Sequence, residues 1–147
     1  MNAIDVVKAG LAASEAGQTS KFASLLTDDM VFAGPVPQPV GKHEFVGLMT
    51  AMVAGMPDWK FNATDFKQNG NQVTATLQIT GTQTRELNLP MPGLPKLPAT
   101  GKHVSLPKEP TTFTVKDDKI SRLESTNVPG GGVAGVLAQL GVTMPPM

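Results

Sequence analysis

The chain has 147 residues, of which 40% are hydrophobic, and it contains no cysteine. This length predicts one domain over residues 1–147 with a substantial core. The absence of cysteine excludes disulfides, thiol nucleophiles and thiolate metal sites. Lys and Arg together number 12, as do Asp and Glu, so the net charge is 0 and no basic field favours nucleic acid.

The N-terminal segment, residues 1–17, has neither the cationic start nor the apolar stretch of a signal peptide. No apolar run along the chain approaches the roughly 20 residues that span a bilayer. We therefore expect a cytoplasmic protein that does not contact membranes.

The first segments predict two helices and a brief strand. Asn2 is a good N-cap, and apolar residues recur at helical spacing at Ile4, Val7 and Leu11 until Gly17 ends the pattern. A second, short helix is expected to begin at Thr19 or Ser20 and to carry Phe22, Leu25 and Leu26. A polar turn at 27–29 then leads into a strand over 30–33, and the prolines of segment 34–41 continue neither element.

The clearest helix lies between Lys42 and Met56. Its apolar residues fall at i, i+3, i+4, i+7, i+8 and i+11: Phe45, Leu48, Met49, Met52, Val53 and Met56. This spacing predicts one broad apolar face, and Pro57 ends the helix.

After Pro57 the apolar period changes from 3.6 to 2, which predicts strands. Apolar residues alternate with polar ones first at Trp59, Phe61 and Ala63, and then at Val73, Ala75, Leu77 and Ile79. The Asn69-Gly70 step between them is a strong hairpin signal.

Residues 85–100 form a proline-rich insertion that predicts an ordered but irregular loop. Strands are expected at about 111–115 and 119–127, joined by a hairpin at Asp117-Asp118. The glycine run 130–132 then precedes a helix with helical apolar spacing. Helices followed by antiparallel strands predict an α+β domain with the helices on one face of the sheet.

Seven short stretches of the sequence, taken in chain order, are similar to one protein family. They are 25–32, 41–45, 57–58, 81–84, 99–102, 118–120 and 136–141. Together they resemble the SnoaL-like polyketide cyclase family of the NTF2-like superfamily. The resemblance implies an NTF2-like or cystatin-like cone, with helices packed on a strongly curved antiparallel sheet around an apolar cavity. It also implies a small hydrophobic or cyclic ligand, and often a homodimer.

The family's cyclases place a His on the last strand and an Asp a few residues later as acid/base. Here Leu123 occupies the position of the His, and residues 125–128 cover the stretch of the Asp. A further acidic position, two residues before Phe113, is Thr111. The catalytic residues of the family are therefore not carried over.

Glu109 is the best catalytic candidate on residue pattern. Two-residue alternation from Val115 back through Phe113 turns it toward the core, where desolvation would raise the pKa of its carboxyl and suit proton transfer. Alternatively, Pro110 breaks the strand and Glu109 is solvated beside Lys108.

Asn127 is the second catalytic candidate, because its amide could donate to a bound carbonyl oxygen. Alternatively, it is a turn residue before Val128-Pro129. The two histidines, His43 and His103, stand in Gly-Lys-His strings that are usually exposed. With no clustered ligands, we expect neither a metal nor a cofactor.

The residues expected to line a ligand pocket are Phe32, Phe45, Met49, Met52, Trp59, Phe61, Leu77, Phe113 and Leu123. Methionine adapts to irregular ligands, although residues at these spacings are also typical of plain core. On the last strand, the face of Leu123 is favoured over the face of Arg122 and Glu124 as the cavity lining.

Three functions remain open. The first is a cyclase-type or isomerase-type enzyme that uses proton transfer, and the second is a non-catalytic ligand-binding domain. The third is an interaction module that presents the spacing Pro92, Pro95 and Pro98 to a polyproline-reading partner. A homodimer is expected through a threonine-rich sheet face formed by Thr74, Thr76, Thr80, Thr112 and Thr114.

Overall fold

The computed structural model describes residues 2–34, 39–90, 96–126 and 128–142. The helices are α1 (Ala3–Glu15), α2 (Thr19–Ser24), α3 (Lys42–Gly55) and α4 (Gly132–Gln139). The strands are β1 (Leu26–Ala33), β2 (Val40–Gly41), β3 (Thr64–Asn69), β4 (Gln72–Leu77), β5 (Thr80–Thr82), β6 (His103–Ser105), β7 (Glu109–Lys116) and β8 (Lys119–Ser125).

The described strands form one large curved sheet and one small sheet. The large sheet has the order β2-β1-β8-β7-β4-β3, and β5 pairs with β6 separately. The α+β architecture is thus confirmed, with one difference from a wholly antiparallel sheet. The strands β1 and β8, which are the first and the last along the chain, lie next to each other and are parallel, so the sheet is mixed.

The helices α1 and α3 follow the sequence prediction closely. The Asn2 side chain accepts a hydrogen bond from the Asp5 backbone N–H at 2.8 Å, which satisfies one free donor of the first turn of α1. Gly17, with a φ of 71°, follows the end of that helix. The helix α3 ends at Gly55, two residues before Pro57.

The boundary between α2 and β1 differs from the prediction. Leu26 belongs to the strand rather than to the helix, and the polar residues 27–29 lie within β1 instead of forming a turn. The cause is tertiary: Leu26 is paired with Ile120 in β8, and the Leu25 carbonyl accepts a hydrogen bond from the Ile120 N–H at 2.8 Å. A pairing register shift between Leu26 and Val31 accommodates the polar residues.

The predicted strand at 59–64 is wrong. Of residues 59–63, only Lys60 is paired, as an isolated bridge to Thr80. Asn62 and Asp65 have φ values of 49° and 58°, so the backbone is too kinked for a continuous strand, and β3 begins at Thr64. The Asn62 amide donates to the Gln78 carbonyl at 2.9 Å and stabilises the kink.

Both predicted hairpins are confirmed. The β3–β4 turn contains Gly70, with a φ of 63°, and the β7–β8 turn contains Asp117 and Asp118, with φ values of 52° and 59°. Two consecutive left-handed residues match the twist of the flanking strands.

The described part of the proline-rich insertion is ordered. Leu87 and Leu97 exchange two backbone hydrogen bonds of 2.9 Å, which close the base of the insertion. Leu87 is fully buried beside Gly55 of α3. Residues 91–95, and with them Pro92 and Pro95 of the suggested interaction motif, lie outside the described residues.

One core lies between the helices and the inner face of the large sheet. It contains Phe45, Leu48 and Met52 of α3 together with Leu77 and Phe113 of the sheet. The helix α4 is attached through Gln139, whose side-chain oxygen accepts from the Ser105 N–H at 2.9 Å and whose amide donates to the Ser105 carbonyl at 2.8 Å. None of the described helices is long and apolar enough to cross a membrane.

Candidate functional site

A cavity of about 70 Å³ lies between α3 and the inner face of the sheet. The structure brings all nine residues of the predicted pocket to its wall: Phe32, Phe45, Met49, Met52, Trp59, Phe61, Leu77, Phe113 and Leu123. Glu109 also lies in this wall, so the cavity combines an apolar lining with one carboxyl group.

The helix α4 contributes a part of the wall that the sequence pattern did not assign to the pocket. Gly132, Val133 and Val136 line the cavity from this helix, and Leu106 lines it from the segment before β7. The valines were visible in the sequence as a helical spacing. Their place against the cavity depends on the attachment of α4 to β6, which no local pattern encodes.

Glu109 is the first residue of β7, and its side chain is 3% exposed. Its Oε1 accepts a hydrogen bond from the Gly132 backbone N–H at 2.9 Å, at the start of α4. Its Oε2 is buried and has no hydrogen-bond partner among the described residues. One oxygen is thus fixed, and the other is unpaired within the described ranges.

The strand continues through Pro110, contrary to the alternative in which this proline leaves Glu109 in solvent. Glu109 is paired with Leu77 of β4, and Pro110 with Thr76, in an unbroken register. The alternation that turns Phe113 and Val115 inward therefore extends back to Glu109, while Lys108 is exposed.

Burial raises the pKa of the Glu109 carboxyl above its ordinary value, because the charged form loses solvation in the apolar cavity. The hydrogen bond from the Gly132 N–H opposes this effect by stabilising the carboxylate. The net shift is upward. A carboxyl group with a raised pKa is a stronger base when ionised than an ordinary glutamate, which suits proton transfer.

The glycine run 130–132 shapes the site around this carboxyl. Gly130 and Gly132 have φ values of 81° and 69°, which side chains rarely adopt. A Cβ atom on Gly131 would lie 2.9 Å from Glu109 Oε1, so only glycine permits this approach. The sequence showed three consecutive glycines, but not that their backbone would meet Glu109.

The sequence and fold comparisons identify the family. The chain matches the model of the SnoaL-like domain over residues 7–123. It belongs to the SnoaL-like domain family. No curated protein matches the sequence significantly.

Solved structures share the fold of this SnoaL-like domain. IdmH from Streptomyces antibioticus, a candidate polyketide cyclase, is 20% identical, with a TM-score of 0.70 and coverage of 97% of this chain and 100% of that one. A candidate polyketide cyclase from Pseudomonas putida is 25% identical, with a TM-score of 0.65 and coverage of 87% and 92%. AclR from Streptomyces galilaeus, a candidate hydroxylase, is 18% identical, with a TM-score of 0.72 and coverage of 95% of each chain.

Two positions at which SnoaL-like cyclases are expected to have a His and an acidic residue are Leu123 and Thr111 in this domain. Leu123 lies opposite Phe113 and lines the cavity, on the favoured face of β8, while Arg122 and Glu124 are exposed. Thr111 is buried, and its hydroxyl donates to the Glu109 carbonyl at 3.1 Å.

The Ser125 hydroxyl completes this cluster of buried oxygens. It lies 3.1 Å from Thr111 Oγ1. If the single hydroxyl proton of Thr111 is directed to the Glu109 carbonyl, the Ser125 hydroxyl donates to Thr111. In that arrangement both hydroxyl protons are used within the protein.

The remaining candidates contribute little to the described site of the SnoaL-like domain. Asn127 lies outside the described residues, so its suggested donor role is neither placed nor removed. His43 and His103 are exposed, and His103 Nδ1 lies 3.1 Å from Thr82 Oγ1. Across the described ranges, no group of three His, Asp or Glu residues is placed to hold a metal ion.

A second cavity, of about 200 Å³, lies among α1, α2 and α3. It shares Phe22 and Met49 with the first cavity, so these side chains separate the two spaces. Its described lining contains hydroxyl groups but no titratable side chain. The cavity with Glu109 is therefore the better candidate for chemistry.

Proposed function

We propose that this SnoaL-like protein binds a small, largely apolar cyclic molecule and catalyses proton transfer on it, with Glu109 as the acid/base. The observation that carries the proposal is the buried carboxyl of Glu109, which lies in the wall of an apolar cavity and has one oxygen without a partner in the described part of the chain. A buried polar atom without a partner costs about 1–3 kcal/mol. A site that retains such an atom commonly uses it on a ligand or a water molecule.

The proposed step needs only a carbon acid, such as a C–H group next to a carbonyl. The ionised Glu109 Oε2 takes the proton, the electrons of the C–H bond form an enolate, and the negative charge develops on the carbonyl oxygen. The protonated carboxyl then returns the proton to carbon or oxygen. No electrons are gained or lost overall, so the step requires no oxidant or cofactor.

The Gly132 N–H supports this role by holding Oε1 in one orientation. Only Oε2 is then free to react, which supports a role for Glu109 as a general base. The solved structures with the same fold add a second argument, since two of them are candidate polyketide cyclases, and ring closure between carbonyl groups begins with such a proton removal.

The lining of the cavity indicates the ligand class, and its size limits the ligand to a small molecule. A cavity that holds a benzene ring has a volume of about 150 Å³, so even a single ring enters this space of about 70 Å³ only when the wall adapts. Met49 and Met52 lie in the wall, and their flexible side chains allow the space to adapt to a larger ring. A neutral apolar ring bearing one carbonyl group fits this lining.

Exchange of hydrogen for deuterium at the α-carbons of cyclohexanone tests the proposed function. In D₂O the wild-type protein should accelerate the exchange, measured by proton NMR, and Glu109→Gln should abolish the acceleration. Glutamine keeps the shape and can still accept from the Gly132 N–H, but it cannot exchange a proton in this way at neutral pH.

The matched control for this experiment is Glu124→Gln. Glu124 lies on β8 with its side chain exposed and in contact with Arg122, so the same substitution there should leave exchange unchanged. Equal exchange by wild type and Glu109→Gln, with both folded by circular dichroism, would remove Glu109 from the proposed role.

A non-catalytic binding function is the second candidate, and one observation favours it. Glu109 Oε1 accepts from the first N–H of α4, so this carboxyl also has a structural role at the helix N-terminus. A protein that binds cyclohexanone but does not accelerate its exchange would support binding alone.

A further inference from the structure

Trp59 is a second residue of the cavity wall with a buried polar group, its indole N–H, that pairs with no other described residue. Trp59 is 3% exposed and lines the same cavity as Glu109. Its Nε1 is buried and has no hydrogen-bond acceptor among the described residues. The other buried side-chain atoms without a partner, Ser14 Oγ and Thr27 Oγ1, belong to residues outside this wall.

The backbone around Trp59 holds the side chain in place. The Trp59 N–H donates to the Met56 carbonyl at 2.9 Å, and Lys60 exchanges hydrogen bonds with Thr80. The Phe61 N–H donates to Glu15 Oε2 of α1 at 2.8 Å. The irregular segment between α3 and β3 is thus fixed on both sides of the tryptophan, which gives the indole a defined position in the wall.

The neighbouring aromatic ring does not replace a hydrogen-bond acceptor. The Trp59 and Phe61 rings are perpendicular at 88°, with centroids 5.8 Å apart. An aromatic face accepts from an N–H group only weakly, so an oxygen atom in the cavity would be the better partner. Buried tryptophan N–H groups usually have such a partner.

We propose that Trp59 Nε1–H donates a hydrogen bond to a carbonyl oxygen of the ligand in this cavity. This inference rests on the proposed function and deepens it, because it names the recognised group. The indole has a donor and no acceptor, whereas the ionised Glu109 Oε2 has an acceptor and no donor. A ligand with a carbonyl and an adjacent acidic C–H supplies the partner for each.

The two roles follow from this difference between the groups. Trp59 would orient the carbonyl and stabilise the negative oxygen that forms when Glu109 takes the α-proton. Such a donor acts strongly in an apolar site, because no water competes with it. The Thr111 and Ser125 hydroxyls already have partners within the protein, whereas the indole N–H has none among the described residues.

The test compares cyclohexanone with methylenecyclohexane, in which a CH₂ group replaces the carbonyl oxygen at nearly the same shape. Trp59 is the only tryptophan in the chain, so a ¹⁵N-labelled sample gives one indole N–H signal. Cyclohexanone should move this proton signal downfield, and methylenecyclohexane should not. This measurement needs no variant, and an equal response to both compounds would overturn the inference.

The variant Trp59→Phe provides the second measurement. Affinities are followed through ¹³C-methyl methionine signals, since Met49 and Met52 line the cavity. The wild type should bind cyclohexanone more tightly than methylenecyclohexane. Trp59→Phe should lose about fivefold to tenfold in affinity for cyclohexanone, as expected for one hydrogen bond. Its affinity for methylenecyclohexane should change far less.

The outcomes separate this inference from the proposed function. A ketone preference that persists in Trp59→Phe would overturn the role of Trp59, while loss of exchange in Glu109→Gln would leave the role of Glu109 standing. If neither compound shifts the methionine methyl signals, the cavity does not bind these rings, and both the proposed function and the role of Trp59 are contradicted.

Discussion

Glu109 couples the stability of the domain to pH, because its carboxyl is buried and its pKa is raised in the folded state. A raised pKa means that the folded protein holds the proton more tightly than the unfolded chain. Below the ordinary glutamate pKa of about 4.3, both states are protonated and this residue has no effect on stability. As the pH rises through the folded pKa, the carboxyl ionises in the cavity and the folded state loses stability.

The first prediction follows from this sign. Glu109→Gln should gain stability relative to the wild type as the pH rises from about 4.3, and the gain should level off above the folded pKa. The measurement is the free energy of unfolding by urea at a series of pH values. A flat difference between Glu109→Gln and wild type across this pH range would mean that the Glu109 carboxyl is not desolvated.

The direction of an individual side chain was predictable where the period of its strand or helix determines which face it lies on. The direction of Glu109 followed from alternation along residues 109–115, and its burial agrees with that. The free oxygen of Glu109 and the free N–H of Trp59 did not follow from any pattern. Both depend on which groups the tertiary structure places nearby, and for Glu109 that group is the backbone of a glycine 23 positions later.

At the scale of elements, the glycine run before α4 is the part of the site most sensitive to a small change. Gly131 has φ and ψ of −97° and −179°, an extended conformation that alanine also adopts. Alanine there would nevertheless place its Cβ 2.9 Å from Glu109 Oε1 and 3.1 Å from Cδ. The Cβ would also lie 3.2 Å from the Val128 carbonyl oxygen, so the substitution displaces the carboxyl and crowds the backbone at Val128.

We predict that Gly131→Ala slows cyclohexanone exchange by at least about tenfold, because general-base catalysis depends on position. It should also lower the free energy of unfolding by about 1–3 kcal/mol through the disturbed Gly132–Glu109 hydrogen bond. Exchange rates and urea denaturation measure the two effects. Unchanged exchange in a folded variant would argue that the position of this carboxyl is unimportant.

Gly47→Ala is the matched control. Its Cβ would lie 3.7 Å from Pro90 Cγ, an ordinary contact, and Gly47 is within helix α3. Alanine at this position should leave exchange unchanged and stabilise the helix by about 0.5–1 kcal/mol. The pair of variants therefore separates the contact with Glu109 from the general effect of replacing a glycine.

Elements were predictable when their own residues determine them. The helix α3 has an uninterrupted apolar spacing and a proline after it, and the hairpins have turn residues with the required positive φ. The strand β1 and the segment 59–63 were mispredicted for the opposite reason. Pairing with β8 overrides the turn preference of residues 27–29, and the left-handed Asn62 interrupts an otherwise regular alternation.

For the whole molecule, the order of the strands could not be worked out from the residues alone. The parallel pairing of β1 with β8 joins segments about a hundred residues apart, and it determines which residues meet at the cavity. The resemblance of the local strings to the SnoaL-like family supplied the architecture that periodicity could not.

The outer face of the large sheet presents threonines on adjacent strands. Thr74 of β4 is paired with Thr112 of β7, and Thr112 in turn is paired with Glu124 of β8. Thr80, which the sequence pattern had grouped with them, lies instead on β5 in the small sheet. The face is thus narrower than predicted but continuous across three central strands.

We predict that the protein forms a homodimer through this outer sheet face, which buries the half-exposed threonine rows against a second copy. In sedimentation velocity at micromolar concentration the wild type should have twice the chain mass of 15.4 kDa. Thr112→Arg should dissociate the dimer, because a twofold axis brings like charges together at the centre of the interface. Thr84→Arg, at an exposed residue outside the large sheet, should leave the dimer intact. A wild-type monomer, or equal dissociation by both variants, would show that the face is not used for self-association.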